Sequence, residues 1–169
     1  MAVNHSERRK IIVASAMRLF ANMGFAKVSF LDISKSTGIA RTALYRYFKT
    51  KRELFDAAIH SITSGLKAEF GRIAEDRQPV SVRLEKSCYI VIDAMYCKKD
   101  FFSAIYEFVF AMVRSGHDMA KRIEEFTGGF KVALDRLVRE GIASGELRGN
   151  VDPEAATETL YALMESVAL

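Results

Sequence analysis

Tryptophan is absent from this 169-residue chain, and proline, cysteine and histidine are scarce at two, two and three copies. Few breakers therefore interrupt it, and its apolar residues recur mainly at three- and four-residue spacing rather than in strand-like alternation, which predicts an all-α fold. No apolar run approaches the roughly 18 residues that a membrane span requires, and the first ten residues do not form a signal sequence. A cytoplasmic protein with no membrane partner is expected.

Cys88 and Cys97 stand nine residues apart on one predicted helix, about 13 Å along its axis and on opposite faces, which excludes a bridge between them. They read as small core groups in a reducing compartment, with a redox sensor as the alternative. The histidines His5, His60 and His117 are scattered. None lies three or four residues from another His or a Cys, the spacing that a helical metal site favours. A Walker loop, a dinucleotide glycine fingerprint, a nucleophile elbow and a paired-cysteine motif are all missing. No metal, no cofactor and no catalytic residue are expected, and hence no enzyme.

What the chain does have is a divided charge. Residues 1–52 hold 11 Lys/Arg against 2 Asp/Glu, a net of +9, whereas residues 53–169 hold 14 against 19, a net of −5. With 50% hydrophobic residues the chain can bury a substantial core. These figures suggest a basic domain over 1–52 that meets a polyanion, followed by a helical domain over 53–169.

Within the basic domain, Ser6 is placed to cap a first helix with Ile12, Ala16, Leu19, Phe20 and Met23 on one face, and Gly24 to end it. Ser29-Phe30-Leu31-Asp32 has the form of a capping box opening a short second helix, which Gly38 closes. A third helix is predicted over Arg41–Phe48, with Leu44 and Phe48 facing inward. Two short helices around a glycine turn make a helix-turn-helix. In such a motif the start of the second helix reaches base edges, while hydroxyls and cations nearby hold phosphates. Arg41 and Thr42 are therefore placed to read bases, and Ser29, Tyr45, Tyr47 and Lys51 to grip the backbone. The plainer reading makes Ser29 only a cap and the two tyrosines only packing groups.

The run Gly24-Phe25, Val28-Ser29, Asp32-Ile33, Gly38-Ile39, Ala43-Leu44-Tyr45-Arg46-Tyr47-Phe48, Lys51 and Leu54 resembles the signature of the TetR (tetracycline-repressor) family in order and spacing. The similarity is close over residues 8–55. It implies that Ser29 contacts a phosphate, that Arg41 and Thr42 meet the major groove, and that Tyr45, Tyr47 and Lys51 contact the DNA backbone. It also implies a homodimeric transcriptional regulator, a repressor of a palindromic double-stranded operator that a small, largely apolar effector releases. Ala40 stands where the family often carries a Ser cap and Leu31 where it often carries a polar residue, so the reading helix begins without a side-chain cap. A helical ligand-binding or interaction protein without operator recognition is the alternative.

Beyond the basic domain, helices are predicted from Lys51 towards Glu75, then Ser81–Cys97, Asp100–Arg114 and Asp118–Ser144, the last broken at Gly128-Gly129, and from Pro153 onward, with Asp152 as cap. Arg139 to Glu154 is similar to a turn that family members place before a dimerisation helix. The sequence stops at Leu169 inside an apolar helical pattern, where family members continue into a second such helix: either the chain is cut short there or this member is unusually small. The family's effector site implies a mainly apolar cavity in this body, for which Tyr89, Tyr96, Phe102, Tyr106 and Phe126 are the candidates.

Overall fold

The computed structural model describes residues 5–166, apart from the side chains of Arg122 and Phe126. Among the described residues there are eight α-helices and no strand: α1 (His5–Lys27), α2 (Phe30–Thr37), α3 (Arg41–Leu44), α4 (Lys51–Ala74), α5 (Val80–Cys97), α6 (Lys99–Arg114), α7 (Ala120–Ser144) and α8 (Pro153–Ser166). The all-α expectation holds. None of these helices is long and apolar enough to cross a membrane.

Several local expectations change. Ser6 lies inside α1 rather than capping it, and Met23 is 38% exposed rather than part of the buried face. Gly24 does interrupt α1, at φ 74° and ψ 161°, but the chain resumes helical geometry as far as Lys27. Gly128 and Gly129 do not break α7, which runs unbroken from Ala120 to Ser144. The apolar residues around them supply the reason: Phe130, Leu134, Leu137 and Val138 are all buried on one side of the helix, and that burial outweighs the roughly 1 kcal/mol per glycine lost in propensity.

By packing, the chain forms two compact units. The first holds the residues up to Ile62 with Lys99–Met119, and the second holds Thr63–Lys98 with Ala120 onward. Helix α4 thus gives its first half to one unit and its second half to the other.

The first unit is organised by aromatic rings. Phe55 meets Phe20 edge-on at 4.9 Å and packs against Phe25, Phe101 and Phe108 at 4.9, 5.8 and 5.0 Å. Phe25 also meets Phe108 at 4.6 Å, so α6 is part of this core and α1 packs along it. Each fully buried Phe contributes on the order of 2–3 kcal/mol. Ser15, buried on α1, donates to Ser36 Oγ at 2.8 Å and fastens α2 to α1.

The second unit packs α5, α7 and α8 with the end of α4, and Phe70 meets Phe130 at 5.5 Å. Arg83 on α5 is 5% exposed; its guanidinium pairs with Glu140 and donates to the Ala74 carbonyl at 3.2 Å, closing the end of α4. Asp152 caps α8 as the sequence indicates, its Oδ1 accepting from the Glu154 and Ala155 amides at 2.9 and 3.0 Å.

Candidate nucleic-acid interface

Ser29 opens α2 with a complete capping box. Its Oγ accepts from the Asp32 amide at 3.3 Å, its own amide donates to Asp32 Oδ2 at 2.9 Å, and its hydroxyl donates to the same oxygen at 2.6 Å. These Ser29 hydrogen bonds hold the Asp32 carboxyl below its ordinary pKa. At the other end of α2, Gly38 adopts φ 69°, and its amide donates to the Ser34 carbonyl at 2.9 Å. An L side chain adopts that conformation rarely, which explains the glycine. Two hydroxyls then fasten the turn: Ser34 Oγ donates to the Ile39 carbonyl at 2.8 Å, and Thr37 Oγ1 accepts from the Ile39 amide at 3.2 Å. The angle between α2 and α3 is therefore set by hydrogen bonds as well as packing.

Helix α3 is shorter than expected. It covers Arg41–Leu44, and the chain continues as a turn through Tyr45–Tyr47 with Arg46 and Tyr47 donating to carbonyls three residues back, at 3.1 and 2.9 Å. Ala40 gives no side-chain cap, as the sequence indicates. The tightened turn accompanies the burial of both Leu44 and Phe48 at 0% exposure.

This geometry leaves Arg41 and Thr42 exposed at the start of α3. Arg41 Nη2 donates to the Tyr45 hydroxyl at 3.4 Å, and Tyr45 stacks on Phe30 with 37% of its surface exposed. Tyr47 is half-buried and stacks on His5 at 4.5 Å. The six residues Ser29, Arg41, Thr42, Tyr45, Tyr47 and Lys51 all belong to the first unit. Lys51 differs from the others: its Nζ donates to the Phe25 and Ala26 carbonyls at 2.8 and 2.9 Å and lies 4.6 Å from the Phe25 ring centroid. Burial pushes its pKa down.

The structure also adds residues that the sequence reading left out. His5 meets Tyr47, and Arg9 sits over the Phe48 ring at 4.9 Å, so the first turns of α1 adjoin the end of the motif. The basic run Arg8-Arg9-Lys10 was the available signal.

The residues named for an effector cavity are not gathered in one unit. Tyr89 and Tyr96 lie on α5 in the second unit, 64% and 72% exposed, whereas Phe102 and Tyr106 lie on α6 in the first. The side chain of Phe126 lies outside the described residues. The second unit instead contains an open cavity of about 750 Å³ lined mainly by Leu84, Val138, Leu147, Val151, Ala156 and Leu160. None of Tyr89, Tyr96, Phe102 and Tyr106 lines it.

Residues 12–58 match the family model described as bacterial regulatory proteins, tetR family. The chain is 23% identical over 146 residues to the nucleoid occlusion factor SlmA of Marinobacter nauticus, covering 86% of this chain and 72% of that one. Further proteins of that name are spanned over only 41% to 44% of their length. Among solved structures, a transcriptional regulator of the TetR/AcrR family from Thermobifida fusca is 26% identical with a TM-score of 0.72, over 95% of this chain and 82% of that one. FadR from Bacillus subtilis, solved in complex with stearoyl-CoA, shares the fold with a TM-score of 0.70 at 22% identity, over 94% of this chain and 84% of that one. Residues 12–58 thus carry the helix-turn-helix module of the tetR family of bacterial regulatory proteins, and the chain is similar over most of its length to a TetR/AcrR-family transcriptional regulator.

Proposed function

We propose that this protein is a cytoplasmic, homodimeric transcriptional repressor that acts by binding rather than catalysis. Two basic heads would enter successive major grooves of a palindromic operator about 34 to 36 Å apart. The observation that carries this reading is the pairing of an exposed Arg41 and Thr42 at the start of α3 with a hydrogen-bonded turn that fixes α3 against α2. Arg41 and Thr42 read base edges; Ser29, Tyr45 and Tyr47 contact the backbone; Lys51 belongs to the same interface. Val132 on α7 and Leu163 on α8, 71% and 61% exposed, supply apolar surface for a second copy.

A small, largely apolar effector fits the cavity of the second unit, whose lining is mostly aliphatic. The similarity in fold to FadR, which was solved with stearoyl-CoA, makes acyl chains the first compounds to try. An effector that prefers one conformation of the body lowers operator affinity only by its differential affinity for the two states.

The test is selection of duplexes from a randomised pool by the full chain. The expected outcome is a palindrome, with Arg41→Ala relaxing preference at one base position by about 1–3 kcal/mol. Recovery of no duplex, together with binding of acyl chains, would favour the helical ligand-binding alternative. Light scattering tests the dimer.

A further inference from the structure

We propose that Leu31, on the outer side of α2, is a specificity-determining residue that reads the C5 methyl group of a thymine in the major groove. This rests on the DNA-binding reading above and adds an apolar base contact to it. An exposed leucine stands in the basic part of the chain: Leu31 is 48% exposed, within residues 1–52 of net charge +9. The other side chains of the first turn of α2 are engaged. Ser29 and Asp32 bond each other, and the Phe30 ring stacks on Tyr45. Leu31 is the one that the fold leaves at the surface with no hydrogen-bonding group of its own.

Packing of α2 sets which way Leu31 faces. Phe30 and Ile33 are buried and take the inward side of the helix. Leu31 and Ser34, three residues apart, are neighbours on an adjoining side. Ser34 Oγ donates to the Ile39 carbonyl at 2.8 Å, two residues before Arg41, so this side looks toward the turn and the start of α3. The Phe30–Tyr45 stack also brings the first turn of α2 against the end of α3, and the Tyr45 hydroxyl accepts from Arg41. Leu31 therefore shares one exposed surface with Arg41, Thr42 and Tyr45.

The chemistry of the side chain limits what it can recognise. Leucine offers neither donor nor acceptor, so it cannot pair with the ring nitrogens, amino groups and carbonyls that polar side chains read. The C5 methyl of thymine is the one methyl group on the major-groove edges of the four bases. Packing it against Leu31 removes apolar surface of both from water, whereas an amino group or carbonyl placed there would lose its water without gaining a partner. Leu31 thus selects thymine at one position of each half-site, while Arg41 hydrogen-bonds a different base.

The test uses the full chain and the palindromic duplex that the wild type recovers from a randomised pool. Each thymine of the half-site is replaced in turn by deoxyuridine, in both half-sites at once, which removes the methyl and leaves every hydrogen-bonding group in place. One such position is expected to weaken wild-type binding about 15-fold, from a factor of about four for the single methyl in each half-site. Leu31→Ala is expected to bind the thymine duplex more weakly by at least that factor and to be indifferent to deoxyuridine at that position alone. It should keep the wild-type salt slope and the wild-type affinity for a random-sequence duplex, because no charge is lost. A Leu31→Ala protein as sensitive as the wild type to every deoxyuridine overturns the proposal, as does an equal loss on random-sequence DNA or a recovered half-site without thymine.

If Leu31→Ala does not fold, the wild-type complex decides. A nuclear Overhauser contact between the Leu31 δ-methyls and a thymine methyl is expected, and its absence overturns the proposal. A wild-type protein that recovers no duplex overturns the DNA-binding reading itself, whereas a recovered palindrome in which no thymine methyl depends on Leu31 overturns this proposal alone.

Discussion

The ring of Tyr45 lies flat on the ring of Phe30, with centroids 4.7 Å apart and planes 14° apart. The stack ties the end of α3 to the start of α2, while the Tyr45 hydroxyl stays close to Arg41 at 3.4 Å. Packing and contact are thus separable within one side chain. Tyr45→Phe should leave the denaturation midpoint unchanged and weaken DNA binding a few-fold, whereas Tyr45→Ala should also lower stability by about 1–2 kcal/mol. Denaturant titration beside binding curves checks this; an equal loss of stability in both variants would remove the hydroxyl from the interface.

The Ser29–Asp32 box predicts a pH dependence with a definite sign. The Asp32 carboxyl is held below its ordinary pKa by hydrogen bonds from the Ser29 hydroxyl and amide. Its contribution is therefore complete above the unfolded value near pH 4 and is lost as pH falls through the lowered folded value. Thermal midpoints of the wild type and Asp32→Asn should differ at pH 7 and converge in strong acid. A difference that persisted below pH 2 would count against the box as the cause.

Two glycines of α7 should respond in opposite directions. A Cβ on Gly141 would come within 2.7 Å of Leu147 Cγ and 3.1 Å of Val80 Cγ1, so Gly141→Ala should cost about 1–3 kcal/mol through overpacking. Gly129 has nothing within 4 Å of that position and sits inside a continuous helix, so Gly129→Ala should stabilise by about 0.5–1 kcal/mol. Chemical denaturation of the two variants distinguishes these outcomes, and destabilisation by Gly129→Ala would mean that α7 does not run unbroken.

The Arg83–Glu140 pair is asymmetric. The Arg83 side chain is 6% exposed and that of Glu140 is 44% exposed. Removing Glu140 leaves a buried cation without its counter-charge, so Glu140→Ala should cost about 3 kcal/mol. Arg83→Met leaves a carboxylate that water can reach and fills the space with an apolar chain, for a loss of about 1 kcal/mol. Equal losses in the two variants would show that burial is shared evenly between the partners.

Much of the motif is legible in order along the chain. Ser29 and Asp32 three residues apart, Gly38 after a short apolar run, and Leu44 with Phe48 four apart are local patterns, and local hydrogen bonds and helical periodicity are enough to realise them. The absent cap at Ala40 is local too. Arg41 and Thr42 fall into exposed positions because the inward side of α3 is already taken by Leu44.

What the sequence by itself determined is the all-α architecture, the capped turn and the concentration of positive charge in the first 52 residues. All three depend on residue type and short spacing. Tertiary structure decided the rest. It placed α6 in the N-terminal core through Phe101 and Phe108, carried α7 through two glycines on the strength of its buried face, and left Tyr89 and Tyr96 exposed. It also turned the Lys51 ammonium onto carbonyls about 25 residues away in the chain. That pairing depends on where the break at Gly24 leaves two unmet acceptors, and no spacing along the chain records the distance between an acceptor and a donor that folding brings together.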